Sequence, residues 1–188
     1  MHKIKRASFF FRILFQISFC LLPVLLILFW VIGPTSPTPP TSSSSMKFGA
    51  SFIPGTIPMD AIALPLSNTT KLLGFLVSLI PALVTECTLY FLIRLFRRYE
   101  HGEIFTLQNV NYFKKIGYTL LIGEALHPIY YAILTTILSW NNPIGKRYAA
   151  ISITTPNLNV IVIAFLIILI SWVMAEGYKL REEQQYTV

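Results

Sequence analysis

The sequence predicts an all-α membrane protein: four transmembrane helices in an antiparallel bundle, with both termini cytoplasmic. Three observations lead there. The first is composition, since 54% of the 188 residues are apolar and only 12% are charged, against about 25% charged in an ordinary soluble domain; mean hydropathy is +0.63. This excludes a soluble basic protein, and it excludes disorder over most of the length, because disorder requires few apolar residues and dense charge. The second is a set of four apolar runs, each long enough to cross a bilayer. The third is the uneven placement of Lys and Arg around those runs.

The first run, Ile13 to Ile32, follows Lys3, Lys5, Arg6 and Arg12. About 20 residues at 1.5 Å each cover roughly 30 Å of hydrocarbon. A cleaved signal would have a core of about 7–15 residues and a small-residue exit, and Gly33-Pro34 is a poor exit, so the run reads as a retained helix with any bend near Pro23. The second run extends from about Leu72 to Phe96, the third from about Ile116 to Trp140, and the fourth from about Leu158 to Tyr178. Trp30, Trp140, Trp172, Tyr99 and Tyr178 lie near run ends, where amphipathic rings favour the headgroup zone.

Orientation follows from the cations. If the runs alternate in direction, eleven of the 15 Lys and Arg fall on one side, leaving Lys47, Lys71, Lys146 and Arg147 on the other. The positive-inside rule then puts both termini and the middle loop in the cytoplasm. The same placement accounts for the net charge of +7 without a nucleic-acid partner, because the cations flank apolar runs and form no basic stripe. The organisation is therefore 1–32, a basic terminus and first helix; 33–70, a Pro/Ser/Thr-rich extracytoplasmic loop; and 71–188, a three-helix membrane region with a cytoplasmic middle loop and tail.

Within the long loop, Pro34 to Thr41 and the serines after it cannot bury apolar surface and read as extended, polyproline-like chain. The later part, with Phe48, Phe52, Ile57 and Ile62 among prolines, reads as packing on helix ends or lying at the interface. Asn68-Thr69-Thr70 fits a glycosylation sequon, relevant only in a eukaryotic secretory setting. Cys20 and Cys87 fall inside apolar runs and behave as small hydrophobes.

The middle loop, Arg97 to Lys115, carries the clearest local signals. Gly102 offers a turn. Thr106 suits the N-cap of a helix starting at Leu107, and Phe105 and Val110 occupy the two positions of a hydrophobic staple.

Ionisable groups at membrane depth are costly and each needs an account. Glu86 and Tyr90 lie in the second run; Glu124, His127 and Tyr131 lie in the third. At 100° per residue Gly117, Glu124, Tyr131 and Thr135 share one stripe, with His127 about 60° aside. The stripe is expected to face the bundle interior, where Glu86 and Tyr90 approach it. Two readings stand: a proton or cation path through Glu86, Glu124 and His127, or a satisfied polar network joining two helices. Glu124-x-x-His127 occurs once, whereas bundle metal sites use paired copies, so no metal is expected. No Gly-x-Ser-x-Gly, Walker glycine loop or Cys with a partner base occurs, so neither an enzyme nor a cofactor is expected. Small residues allow self-association of such bundles, but no Gly-x-x-x-Gly nominates a face.

Two segments together resemble a known family. They are Gly102-Glu103-Ile104-Phe105-Thr106-Leu107-Gln108-Asn109 followed by Ile116-Gly117, and the ending Glu176-Gly177 with Leu180, Glu183, Thr187 and Val188. In order and spacing they resemble the bacterial membrane family catalogued as domain of unknown function 2975, over about Leu72 to Val188. The resemblance implies a four-helix bacterial inner-membrane protein without assigned activity. Members often being encoded beside a small helix-turn-helix regulator, it also implies a regulatory role with a cytoplasmic protein partner. The expected function is thus a non-enzymatic interaction component working through its cytoplasmic loop and tail; the alternative is a proton-coupled transporter or channel.

Overall fold

The computed structural model describes residues 2–32, 62, 65–153 and 155–186. The Pro/Ser/Thr-rich segment expected within 33–70, and Thr187 and Val188 of the tail motif, lie outside the described residues. The described chain is all-helical: α1 (His2–Ile32), α2 (Asn68–Glu100), α3 (Leu107–Leu138) and α4 (Thr155–Tyr186). All four are long and apolar enough to cross a membrane, and no strand occurs among the described residues.

Each helix outruns its apolar run. At 31 to 33 residues they reach about 47–50 Å, against a hydrocarbon core of about 30 Å. The surplus is polar: α2 ends in Arg97-Arg98-Tyr99-Glu100, and α4 runs on through Lys179-Leu180-Arg181-Glu182-Glu183. Pro23, Pro81 and Pro128 sit inside α1, α2 and α3, each of which continues through its proline.

The outward faces are apolar. Phe10, Val31, Leu83, Ile122, Phe165 and Val173 are all more than half exposed, where water would oppose each by about 1.5–3 kcal/mol and lipid would not. This is the surface of a multi-pass membrane protein.

The described residues group into two units. One draws on 1–21, 83–124 and 154–188, with Leu95, Ile116, Ala164 and Ile168 buried. Close helix approach here depends on small residues: a Cβ on Gly117 would lie 2.5 Å from Ile168 Cγ1 and 3.1 Å from the Ala164 carbonyl, and one on Gly123 would lie 2.5 Å from Val84. The other unit draws on 22–82 and 125–153, around Leu26, Trp30, Leu66, Tyr131, Leu134 and Leu138. Trp30, expected at the headgroup level as an interfacial anchor, is instead buried. Its ring fills the space opposite Gly74, where a Cβ would stand 2.0 Å from it. Trp140 is exposed, as expected of an interfacial ring, with the Arg147 guanidinium 5.2 Å from its centre.

Candidate functional site

The polar residues that the sequence singles out occur at three places. The most elaborate is the connection between α2 and α3. The Glu103 N–H donates to the Arg98 carbonyl at 3.1 Å and the Gly102 N–H to that of Tyr99 at 3.0 Å, the paired bonds of a Schellman ending. Gly102 has φ +85°, the left-handed conformation that this ending requires and that glycine adopts without strain. Four residues later Thr106 starts α3, its Oγ1 accepting the Asn109 N–H at 3.3 Å. Gly102 and Thr106 therefore do what their types predicted.

Asn109 stands at the position where a capping box would carry Glu or Gln. Its side chain is fully buried and its amide donates to the carbonyls of Glu103 and Ile104, the latter at 2.8 Å. One residue thus satisfies the backbone between the two helices. Phe105 and Val110 take their staple positions; Val110 is buried and Phe105 is exposed.

Charged groups surround this turn. The Arg98 guanidinium pairs with the Glu103 carboxylate at 2.5 Å and donates to the Gln108 side-chain carbonyl. Arg12 of α1 meets Glu100 at 3.0 Å, and the Phe96 ring lies tilted against those of Phe11 and Phe15, with centroids at 5.4 and 5.5 Å. Arg12 and Arg98 carry this architecture although the sequence marked them only as flanking cations, and Gln108 although it stood only as one member of the motif. The signal available was a run of Arg followed by isolated acids at turn distance.

The second place is membrane depth. Within the first unit Glu124 accepts a hydrogen bond from the Asn157 amide of α4 at 2.7 Å. Asn157 lies one position before the expected start of the fourth run; an amide beside an apolar stretch needs a polar partner, and that requirement was the missed signal. Both carboxylate oxygens of Glu86 are shielded and have no hydrogen-bond partner among the described residues. Tyr90 is exposed, with the Arg94 guanidinium 5.3 Å from its ring centre. In the second unit His127 stacks on Tyr131 with centroids 6.4 Å apart and lies 6.2 Å from Tyr130. Along the α3 stripe, Gly117, Tyr131 and Thr135 are buried and Glu124 is half-buried. Among the described residues no three His, Cys, Asp or Glu side chains gather as a metal-ligating group.

The third place is the end of α4. Glu176, Gly177, Leu180 and Glu183 are exposed on continuous helix. Lys179 reaches Glu176 at 3.5 Å and the Tyr178 hydroxyl donates to Glu182 at 3.4 Å, local pairs that each add only a few tenths of a kcal/mol. Among the described residues nothing lies within 4 Å of where a Cβ on Gly177 would be.

No curated protein and no solved structure matches the chain. A family match covers residues 58–188, starting before the Leu72 at which the resemblance of the motifs begins and leaving the Pro34–Thr41 segment outside. The match is to the family described as Protein of unknown function (DUF2975), and the chain belongs to that family.

Proposed function

We propose that this chain is a non-enzymatic component of the bacterial inner membrane. It crosses the bilayer four times as an antiparallel bundle, keeps both termini and the 101–106 connection in the cytoplasm, and acts by binding another protein through that connection and the end of α4. The observation that carries this reading is Gly177. Glycine inside a helix costs about 1 kcal/mol relative to alanine, yet Gly177 has no positive φ and no neighbour that a Cβ would meet. Beside it Leu180 is 54% exposed on a helix end made mostly of polar and charged residues. A helix that forgoes a side chain where none of the described residues comes close is suited to close approach by a second protein. The rigid 101–106 turn supports the same reading, because a pre-ordered surface loses little entropy on binding.

A photo-crosslinker at position 180 in native membranes tests it. The expected result is an adduct with another protein that disappears when Gly177→Leu fills the open position. An adduct that persists unchanged, or a chain that forms none, would overturn the reading. Orientation is tested separately by thiol labelling of single cysteines at positions 103 and 184 in inverted and right-side-out vesicles, both being expected to react only in the inverted ones.

The shielded, unpartnered carboxylate of Glu86 favours one other reading, a proton-coupled carrier or channel that also uses Glu124 and His127. Reconstituted liposomes containing a pH-sensitive dye give the assay, and flux unchanged by combining Glu86→Gln with Glu124→Gln would remove it.

A further inference from the structure

Two pairs of cations near the α2–α3 connection differ in what holds them. Arg12 and Arg98 are half-buried and paired with carboxylates. Arg94 on α2 and Lys115 on α3 are exposed, belong to no ion pair among the described residues, and rest on aromatic rings. The Arg94 guanidinium is 5.3 Å from the centre of Tyr90, Tyr90 is 5.6 Å from Phe91, and the Lys115 ammonium is 5.6 Å from Phe91 on α3's side. Two free cations on different helices thus flank one aromatic pair. Glu100 and Glu103 are already engaged by Arg12 and Arg98, and Glu86, one turn deeper than Tyr90 on α2, pairs with neither cation, so no carboxylate among the described residues neutralises Arg94 or Lys115.

We propose that Arg94 and Lys115, with Tyr90 and Phe91 between them, form a binding site for the phosphate headgroup of an anionic phospholipid. Charge complementarity selects an anion, and what lies deeper along the same helix faces selects a lipid. Seven residues before Tyr90 on α2, Leu83 is 61% exposed; on α3, Tyr118 and Ile122 follow Lys115 by three and seven residues and are 45% and 58% exposed. These intervals return to one helix face, so each cation stands above an apolar strip that acyl chains can cover. A free phosphate or an acidic peptide would make no use of that strip. Rings beneath the cations hold them at a fixed height through cation–π contact, unlike a lysine that only follows the general rule of positive flanks. The inference is independent of the protein-binding reading, because it concerns the lipid-facing side of α2 and α3.

The test uses the full chain in nanodiscs of zwitterionic phosphatidylcholine with a minority of phosphatidylglycerol, and native mass spectrometry of the lipid each protein retains. Phosphatidylglycerol should be retained in preference to phosphatidylcholine. Arg94→Gln and Lys115→Gln should each reduce that preference about fivefold, and the charge-conserving pair Arg94→Lys with Lys115→Arg should keep most of it. Arg97→Gln, which removes an exposed charge outside the aromatic run, should reduce it much less. Four results would overturn the proposal: no preference in the native chain; an equal loss with Arg97→Gln, which means a diffuse field; displacement by inorganic phosphate, which means a soluble anion; or displacement by polyglutamate, which means an acidic peptide.

Discussion

The connection between α2 and α3 and the one that follows α3 satisfy their backbones by different means. In the first, residues 101–106, every bond is local: Schellman bonds between residues three and five apart, a cap to the third residue of the next helix, and the Asn109 amide to carbonyls five and six residues back. In the second, residues 139–153, two hydroxyls of α3 and its end reach far along the chain. Ser139 Oγ donates to the Tyr148 carbonyl at 2.9 Å and accepts the Tyr148 N–H at 3.2 Å, while Thr135 Oγ1 accepts the Ala150 N–H at 3.1 Å. The turn within this segment is held locally, by Gly145 at φ +94°, the Lys146 N–H bonded to the Pro143 carbonyl, the Asn142 amide donating to the Lys146 carbonyl at 3.0 Å and Arg147 Nε donating to the Asn142 carbonyl at 3.3 Å. One connection is held throughout by residue types that announce turns and caps; the other has such a turn at its tip, but the chain beyond the turn is tied back to α3 by small hydroxyls that look like ordinary helix residues.

The largest test of that difference is Asn109→Ala. It removes two hydrogen bonds made by a fully buried amide and leaves two carbonyls without that donor, so the expected loss is about 2–3 kcal/mol. Hydrogen–deuterium exchange in detergent should show residues 101–106 opening while residues 146–150 keep their protection. Equal loosening of both regions would mean that the two connections are not separately held.

Ser139→Ala is the converse experiment. It removes both bonds to the Tyr148 backbone, and the expected cost is about 1–2 kcal/mol, now with faster exchange at 146–150 and none of it at 101–106. Thr135→Val should release the Ala150 amide in the same direction but to a smaller extent, since a single donor loses its partner.

How much of this was legible follows from the same contrast. Gly102 and Thr106 could be read in advance because their roles depend on chain neighbours alone: a left-handed residue ends a helix, and a hydroxyl starts one. The four helices were legible because twenty apolar residues in succession leave little choice in a bilayer. Asn109 was identified only as part of a motif, since nothing in its own neighbourhood says that its amide turns back to Glu103 and Ile104. The Asn157 contact and the burial of Trp30 were not foreseen for the same reason: one meets Glu124 from 33 positions away, and the other lies against Gly74 across 44 positions, beyond the reach of any local pattern. The tail was legible as polar helix because its charged residues simply continue the helical run.

Gly102→Ala sharpens the comparison by isolating backbone strain. The new Cβ would meet nothing closer than Lys5 Cε at 3.9 Å, so crowding contributes little and the expected cost is the left-handed conformation itself, about 1–2 kcal/mol. Thermal unfolding should show this loss, and Gly102→Asn should recover part of it because asparagine tolerates that region of backbone space. A full loss with asparagine would point to something other than φ.

The smallest effect, and the most discriminating, belongs to Thr106. Its cap is a 3.3 Å contact to the Asn109 N–H, and the Thr106 carbonyl already accepts that same N–H at 3.0 Å. Sharing one donor between two acceptors weakens the hydroxyl's claim, so Thr106→Ala should cost about 0.5–1 kcal/mol, the low end for a lost N-cap, and Thr106→Ser should cost almost nothing. Combining Thr106→Ala with Asn109→Ala decides whether the turn acts as one unit. The two side chains serve different backbone groups of one short stretch, the Asn109 N–H and the carbonyls of Glu103 and Ile104, so once the amide of Asn109 is gone and 101–106 has opened, the hydroxyl has little left to stabilise. The double variant should therefore lose clearly less than the sum of the two single losses, a coupling of at least about 0.5 kcal/mol. Strict additivity would mean that the cap and the amide act on separate parts of the chain, and the connection would then have to be described as two adjacent fastenings, much as Ser139 and Thr135 fasten separate points of the second one.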